Sequence, residues 1–78
     1  MDNALAAKHG FHLQHQGGGI YALQKPLGEG RFILITEEED EVGLTEFVVG
    51  LHNEQECIDF ECFQNFKTAL DYASRWAL

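Results

Sequence analysis

Apolar and polar positions change period along this chain, and each change marks an element. Asp2 or Asn3 can cap a short helix through Leu5, Ala6, Ala7 and Lys8, which Gly10 stops. Phe11-His12-Leu13-Gln14-His15 then alternates with a period of two, the signature of a half-buried strand. Gly17-Gly18-Gly19 interrupts it, and Ile20 to Lys25 resumes as a second strand. Pro26 is expected to end that strand, because it has no N–H to donate. Gly28-Glu29-Gly30 forms a turn in which two residues accept positive φ. Arg31 to Thr36 follows, and its unbroken Phe32-Ile33-Leu34-Ile35 predicts a central strand covered on both faces. The five acids Glu37, Glu38, Glu39, Asp40 and Glu41 cannot be buried, so they are expected to form the loop of the next hairpin, closed by Val42-Gly43. Thr45 to Leu51 is a fourth strand with Phe47, Val49 and Leu51 on one face, and His52 to Glu56 a polar turn. Cys57 to Phe63 alternates most cleanly: Ile58, Phe60 and Cys62 take the core register, and Asp59 and Glu61 the solvated face.

The last segment shifts to helical spacing. Phe66, Ala69, Leu70, Ala73, Trp76 and Ala77 share one face, Asn65 is placed as N-cap, and Lys67, Asp71 and Arg75 lie outside at i,i+4 spacing. The pattern predicts one α+β domain over residues 1–78. A short N-terminal helix precedes a four- to five-stranded antiparallel meander, and a C-terminal helix of about 13 residues packs across one face for ~20 Å. The other face keeps Val48, Ile33 or Ile35, and Tyr21 or Leu23; it is capped by the N-terminal segment or used in association.

Composition narrows the class. The chain has 78 residues, 45% of them hydrophobic, with a single proline, which argues against disorder. A domain this short buries only about 60% of its unfolded surface, so a homodimer would be a natural further source of stability. Cys57 and Cys62 would lie roughly 17 Å apart within one strand, beyond disulfide reach. Both are expected to be reduced, which places the chain in the cytoplasm. No apolar run approaches the ~18 residues of a membrane span, and Met1 to Gly10 lacks the basic flank and apolar stretch of a signal peptide.

The motifs that carry chemistry are sparse. His9, His12 and His15 lack a Cys or carboxylate at recognised metal spacing and are taken as surface residues. The triple glycine has no helix start or Lys-Ser/Thr behind it to hold a phosphate. A calcium loop with Gly43 at its sixth position would need an acid where Val49 stands. Neither metal nor cofactor is expected. Cys57 or Cys62 with His52, or Asp59 with Glu61, could form a small thiol or carboxylate enzyme, but no glycine elbow supports a triad. The helix–strands–helix order also fits double-stranded RNA binding, yet Gln64-Asn65-Phe66-Lys67 carries one cation where several are required.

Charge is the informative feature. The formal net charge is −8, with five Lys and Arg in all, which argues against a groove that holds nucleic acid directly. Residues 32–66 contain no Lys or Arg and carry −10, and the two ends together carry +2. If strands four and five pair, Glu46 is expected beside the face of Asp59 and Glu61, with the 37–41 loop at one end. Alternate strand carboxylates ~6.8 Å apart would then present a row of negative charge, loosely like a phosphate backbone. Gly18-Gly19-Ile20-Tyr21-Ala22-Leu23, Gly30-Arg31-Phe32-Ile33-Leu34-Ile35-Thr36 and the closing Ala69-Leu70-Asp71-Tyr72-Ala73 resemble the small acidic proteins of phages and mobile elements, anti-CRISPR inhibitors among them. That resemblance, one of architecture over most of the chain, implies an inhibitor of a host nucleic-acid-binding complex. The residues themselves point to a non-enzymatic binding protein, with Glu37, Glu38, Glu39, Asp40, Glu41, Glu46, Asp59 and Glu61 facing a basic protein partner. The alternative is a structural homodimer whose acids serve solubility.

Overall fold

The computed structural model describes residues 2–15, 21–39 and 41–76. In chain order the elements are α1 (Asn3–Lys8), β1 (His12–His15), β2 (Tyr21–Gly28), β3 (Arg31–Glu39), β4 (Thr45–His52), β5 (Cys57–Phe63) and α2 (Phe66–Ala73). The strands form one antiparallel meander in the order β1-β2-β3-β4-β5, so the fold is α+β, with β1 and β5 at the edges. The triple glycine and Asp40 lie outside the described residues.

Caps and turns start and stop these elements. The Asp2 side chain accepts from the Leu5 N–H at 3.0 Å and Asn65 accepts from that of Thr68 at 3.2 Å, each satisfying an amide that a helix start leaves free. Lys25 ties α1 down: its Nζ donates to the His9 carbonyl at 2.8 Å and sits 5.9 Å from the centre of the Phe11 ring. The β2–β3 turn uses positive φ at Glu29 and Gly30, 57° and 76°, the paired values a tight hairpin requires.

Several expectations need correction. Pro26 does not end β2, which continues to Gly28, with Pro26 opposite Phe32 and a register shift before Gly28. The ladder to β1 stops at His12–Gln24, so Pro26 has no β1 residue opposite it, and the missing donor is tolerated. Helix α2 is eight residues long rather than about 13. The Ser74 hydroxyl donates to the Leu70 carbonyl at 3.0 Å, and the Arg75 and Trp76 amides bond to carbonyls three residues back, which tightens the chain out of the α-helix.

Strand register divides the side chains. Leu23, Ile35 and Val49 lie in one row across β2, β3 and β4, and Ile33 and Leu51 in the next. With Ala6, Phe11, Phe47, Ala69, Leu70 and Ala73 they form a single core. Both helices therefore pack on one face, and the N-terminal helix does not cap the other. Phe32 and Leu34 of β3 sit on the opposite face and are half-buried, so the central strand is covered by helices on one side only.

The largest correction concerns β5. Phe63 pairs with Phe47 and meets the Tyr72 ring at 5.0 Å, which commits it to the helix face. Alternation then puts Glu61 and Asp59 on that face, beside Val49 and Leu51, and turns Phe60 and Cys62 to the other. Ile58, Phe60 and Cys62 are consequently exposed instead of forming core, with Ile58 at 47% and Phe60 at 60%. This register is testable by denaturant unfolding. Phe63→Ala is expected to cost about 2 kcal/mol through lost packing. Phe60→Ser should change stability by no more than about 0.5 kcal/mol; the reverse order would refute the register.

Candidate interaction surface

Glu37, Glu38 and Glu39 are strand residues, not loop, because extended pairing needs backbone partners and does not need buried side chains. They stand opposite Phe47, Glu46 and Thr45 in the β3–β4 ladder. In the described register β2 leaves β3 at Thr36, and β5 leaves β4 at Phe47. Glu37 to Glu39 with Thr45 and Glu46 thus form a two-stranded ribbon that projects beyond the sheet, with Glu41 exposed at its turn. Glu38 lies directly across from Glu46, and the Thr36 hydroxyl donates to Glu38 Oε2 at 3.2 Å. Asp40 lies outside the described residues.

Glu46 does not join Asp59 and Glu61. It shares the helix-free face with Glu38, Val48 and Gly50, whereas Asp59 and Glu61 follow the opposite face along β5. The eight predicted residues therefore do not make one evenly spaced row. Glu38 and Glu46 occupy one side of the ribbon, Glu37 and Glu39 the other, and Asp59 and Glu61 an exposed edge beside α2.

The helix-free face adds residues that the sequence pattern did not single out. Leu34, Gly50 and Phe60 form one row across β3, β4 and β5, with Thr36, Val48 and Cys62 as the next row toward the acidic ribbon. A hollow of about 220 Å³ opens on this face, lined by Leu34, Thr36, Val48, Gly50, His52, Cys57 and Phe60, with Gly50 itself buried. His52 closes one end. Its ring stacks on Phe32 at 5.5 Å between centres and folds back so far that a Cβ at Gly50 would stand 2.5 Å from Nε2. An isolated glycine inside a strand was the available signal, since it marks close approach of another group.

The electrostatics follow from these positions. Burial lowers the His52 pKa below its ordinary value and favours the neutral imidazole. The Cys62 thiol is pushed up by desolvation, and then by the carboxylates of Glu46, Glu61 and Glu38. Cys57 and Cys62 are both free and exposed, and the Cys57 thiol donates to the Asp59 carbonyl at 3.4 Å. Cys57 and His52, which could pair as nucleophile and base, share the wall of the hollow. Its volume is below the ~300–1,000 Å³ usual for small-molecule sites and suits a single large side chain. Among the described residues no three His, Cys, Asp or Glu side chains converge as metal ligands, and no helix is long and apolar enough to cross a membrane.

The chain matches no family model, no curated protein and no solved structure.

Two measurements check this geometry. Glu38→Gln with Glu46→Gln should lower the Cys62 pKa and speed its alkylation at mildly alkaline pH by a few-fold, read by mass spectrometry; an unchanged rate would remove the acids from its surroundings. His52 should make folding weaker as pH falls below ~6.5, where the unfolded chain takes up the proton more readily than the folded one. In a His52→Gln chain that part of the pH dependence is expected to vanish from thermal melts.

Proposed function

We propose that this chain is a non-enzymatic binding protein that sets its acidic ribbon against a basic protein surface. In its specific form it acts as an inhibitor occupying a surface that otherwise holds nucleic acid. The observation that carries the proposal is the Glu38–Glu46 pair. Like charges directly opposite on neighbouring strands are destabilising, and these stand on a ribbon that contributes little to the core. A cation from a partner would turn that local cost into attraction. Glu37, Glu39 and Glu41 surround the pair, and β4 and β5 supply no Lys or Arg. Resemblance to phage inhibitors supports the specific form.

The register changes how such a surface would work. A strand-long ladder of charge at phosphate-like spacing is not built. The ribbon instead concentrates carboxylates at one projecting end, available from both of its sides, and Asp59 and Glu61 extend the field along β5. Such a field raises association rates with a cationic partner and is strongly screened by salt, since the Debye length falls from about 10 Å at 0.1 M to about 3 Å at 1 M.

Affinity capture from a cell lysate at low and high salt tests the proposal. The native chain is expected to retain a basic protein at low salt and release it at high salt. Replacement of Glu37, Glu38, Glu39 and Glu41 by Gln, with Asp40→Asn, should abolish retention. Nucleic acid added to the captured complex should displace the chain. Retention that ignores salt, or that survives the replacement, would overturn the acidic reading.

A further inference from the structure

The helix-free face is continuous with the acidic ribbon, and together they have the chemistry of a composite docking surface. From the free end of the sheet toward the ribbon, four rows cross β3 and β4: Phe32 and His52, then Leu34 and Gly50, then Thr36 and Val48, and last Glu38 and Glu46. Strand β5 adds Cys57, Phe60 and Cys62 to the first three rows. The surface is therefore apolar over its middle, hollowed at Gly50, and negative at one end. A Phe exposed at 60% on the rim of a hollow is the kind of contiguous apolar surface that marks an interaction site.

Charge selects the occupant. No Lys or Arg is placed on this face by the described register: β1 contributes His12 and Gln14, and β2 contributes Ala22, Gln24 and Pro26. Lys25 and Arg31 belong to the opposite side, opposite Ile33 and Gly28. A second copy would bring a net charge of −8, its own Glu38–Glu46 pair, and no Lys or Arg from the same face to meet the first pair. Self-association through this face would thus set like charges near one another. The complementary occupant is apolar along most of its contact and cationic at one end.

We infer that this face docks a cationic amphipathic segment of a partner protein, with one large apolar side chain seated in the hollow lined by Leu34, Val48, His52 and Phe60 and a Lys or Arg set against Glu38 and Glu46. The inference rests on the acidic reading above and gives it a second half. Acids steer and hold the cationic end, and the hollow supplies the desolvated anchor that charge alone lacks. Neutral His52 at the far end keeps that end apolar and orients the segment in one direction.

A synthetic helical peptide of leucine and lysine, with its apolar residues on one stripe, serves as probe against the full chain. Amide shift mapping is expected to move Leu34, Val48, Gly50, His52 and Phe60 together with Glu38 and Glu46. Phe60→Ser and the pair Glu38→Gln with Glu46→Gln should each weaken binding about tenfold, equal to ~1.4 kcal/mol. Asp59→Asn with Glu61→Gln, on the other face, should weaken it far less, and a peptide with serine in place of leucine should bind no better than the Phe60→Ser chain binds the original. If the acid variants lose binding while Phe60→Ser does not, the acidic reading stands and this inference fails. Loss with Phe60→Ser alone removes the cationic contact and overturns both, as does absence of binding. A dimer in light scattering that Phe60→Ser dissolves would assign the face to a second copy and overturn the inference.

Discussion

Phe63 decides more about this molecule than any other side chain. It stands beside Phe47 in the sheet and beneath Tyr72 of α2, which in turn meets Trp76 edge-on at 5.1 Å. Burying one aromatic ring in that cluster sets the alternation of the edge strand from Phe63 back to Asp59, and a register shift beyond Leu51 then brings Cys57 opposite His52. Phe60 and Cys62 lie on the open face as a direct result. The hollow at Gly50, the exposed aromatic rim and the separation of Glu46 from Asp59 and Glu61 all descend from that single choice.

The parts of the fold legible in the sequence are those where one signal acts alone. Caps at Asp2 and Asn65, the Gly28-Glu29-Gly30 turn, the Phe47/Val49/Leu51 face and the Ala69/Leu70/Ala73 stripe all occur as the local pattern predicts. Errors arise where the decision is tertiary. Alternation in β5 is clean in either orientation, and only contact with Tyr72 and Phe47 chooses between them. The Phe32 to Ile35 run suggests two covered faces, but two short helices on one side are all the described chain provides. Pro26 breaks a strand only where a neighbour requires its amide, and β1 has already ended there. For the site, the acids were visible as a block, while their division between two faces depends on pairing that a sequence does not display. Gly50 is a lone glycine between Val49 and Leu51 inside a strand, but its meaning comes from the His52 ring folded over it.

Packing everything on one side has a compositional cost. An eight-residue helix and a six-residue helix cover the five strands unequally, and the core is built from small helix residues, Ala6, Ala69 and Ala73, that let the backbones approach the sheet. The face left over is only partly covered: Ala22 and Gly50 are buried, Phe32, Leu34, Val48 and His52 half-buried, and Phe60 and Cys62 exposed. It is a surface on which apolar groups and carboxylates meet, and this mixture, more than the total charge, is what the proposed docking draws on.

One consequence of the β5 register concerns what the sheet refuses. An edge strand offers a row of unpaired amides and carbonyls to any other strand that approaches, and fibrillar growth begins by accepting that offer. Asp59 and Glu61 lie on the helix side of this edge, where an added strand and the layer packed on it would enclose them. Continuing the sheet would mean trapping two carboxylates away from water, a penalty that rises with every stacked copy. The same ring contact that leaves Phe60 exposed thus disfavours indiscriminate growth along the neighbouring edge.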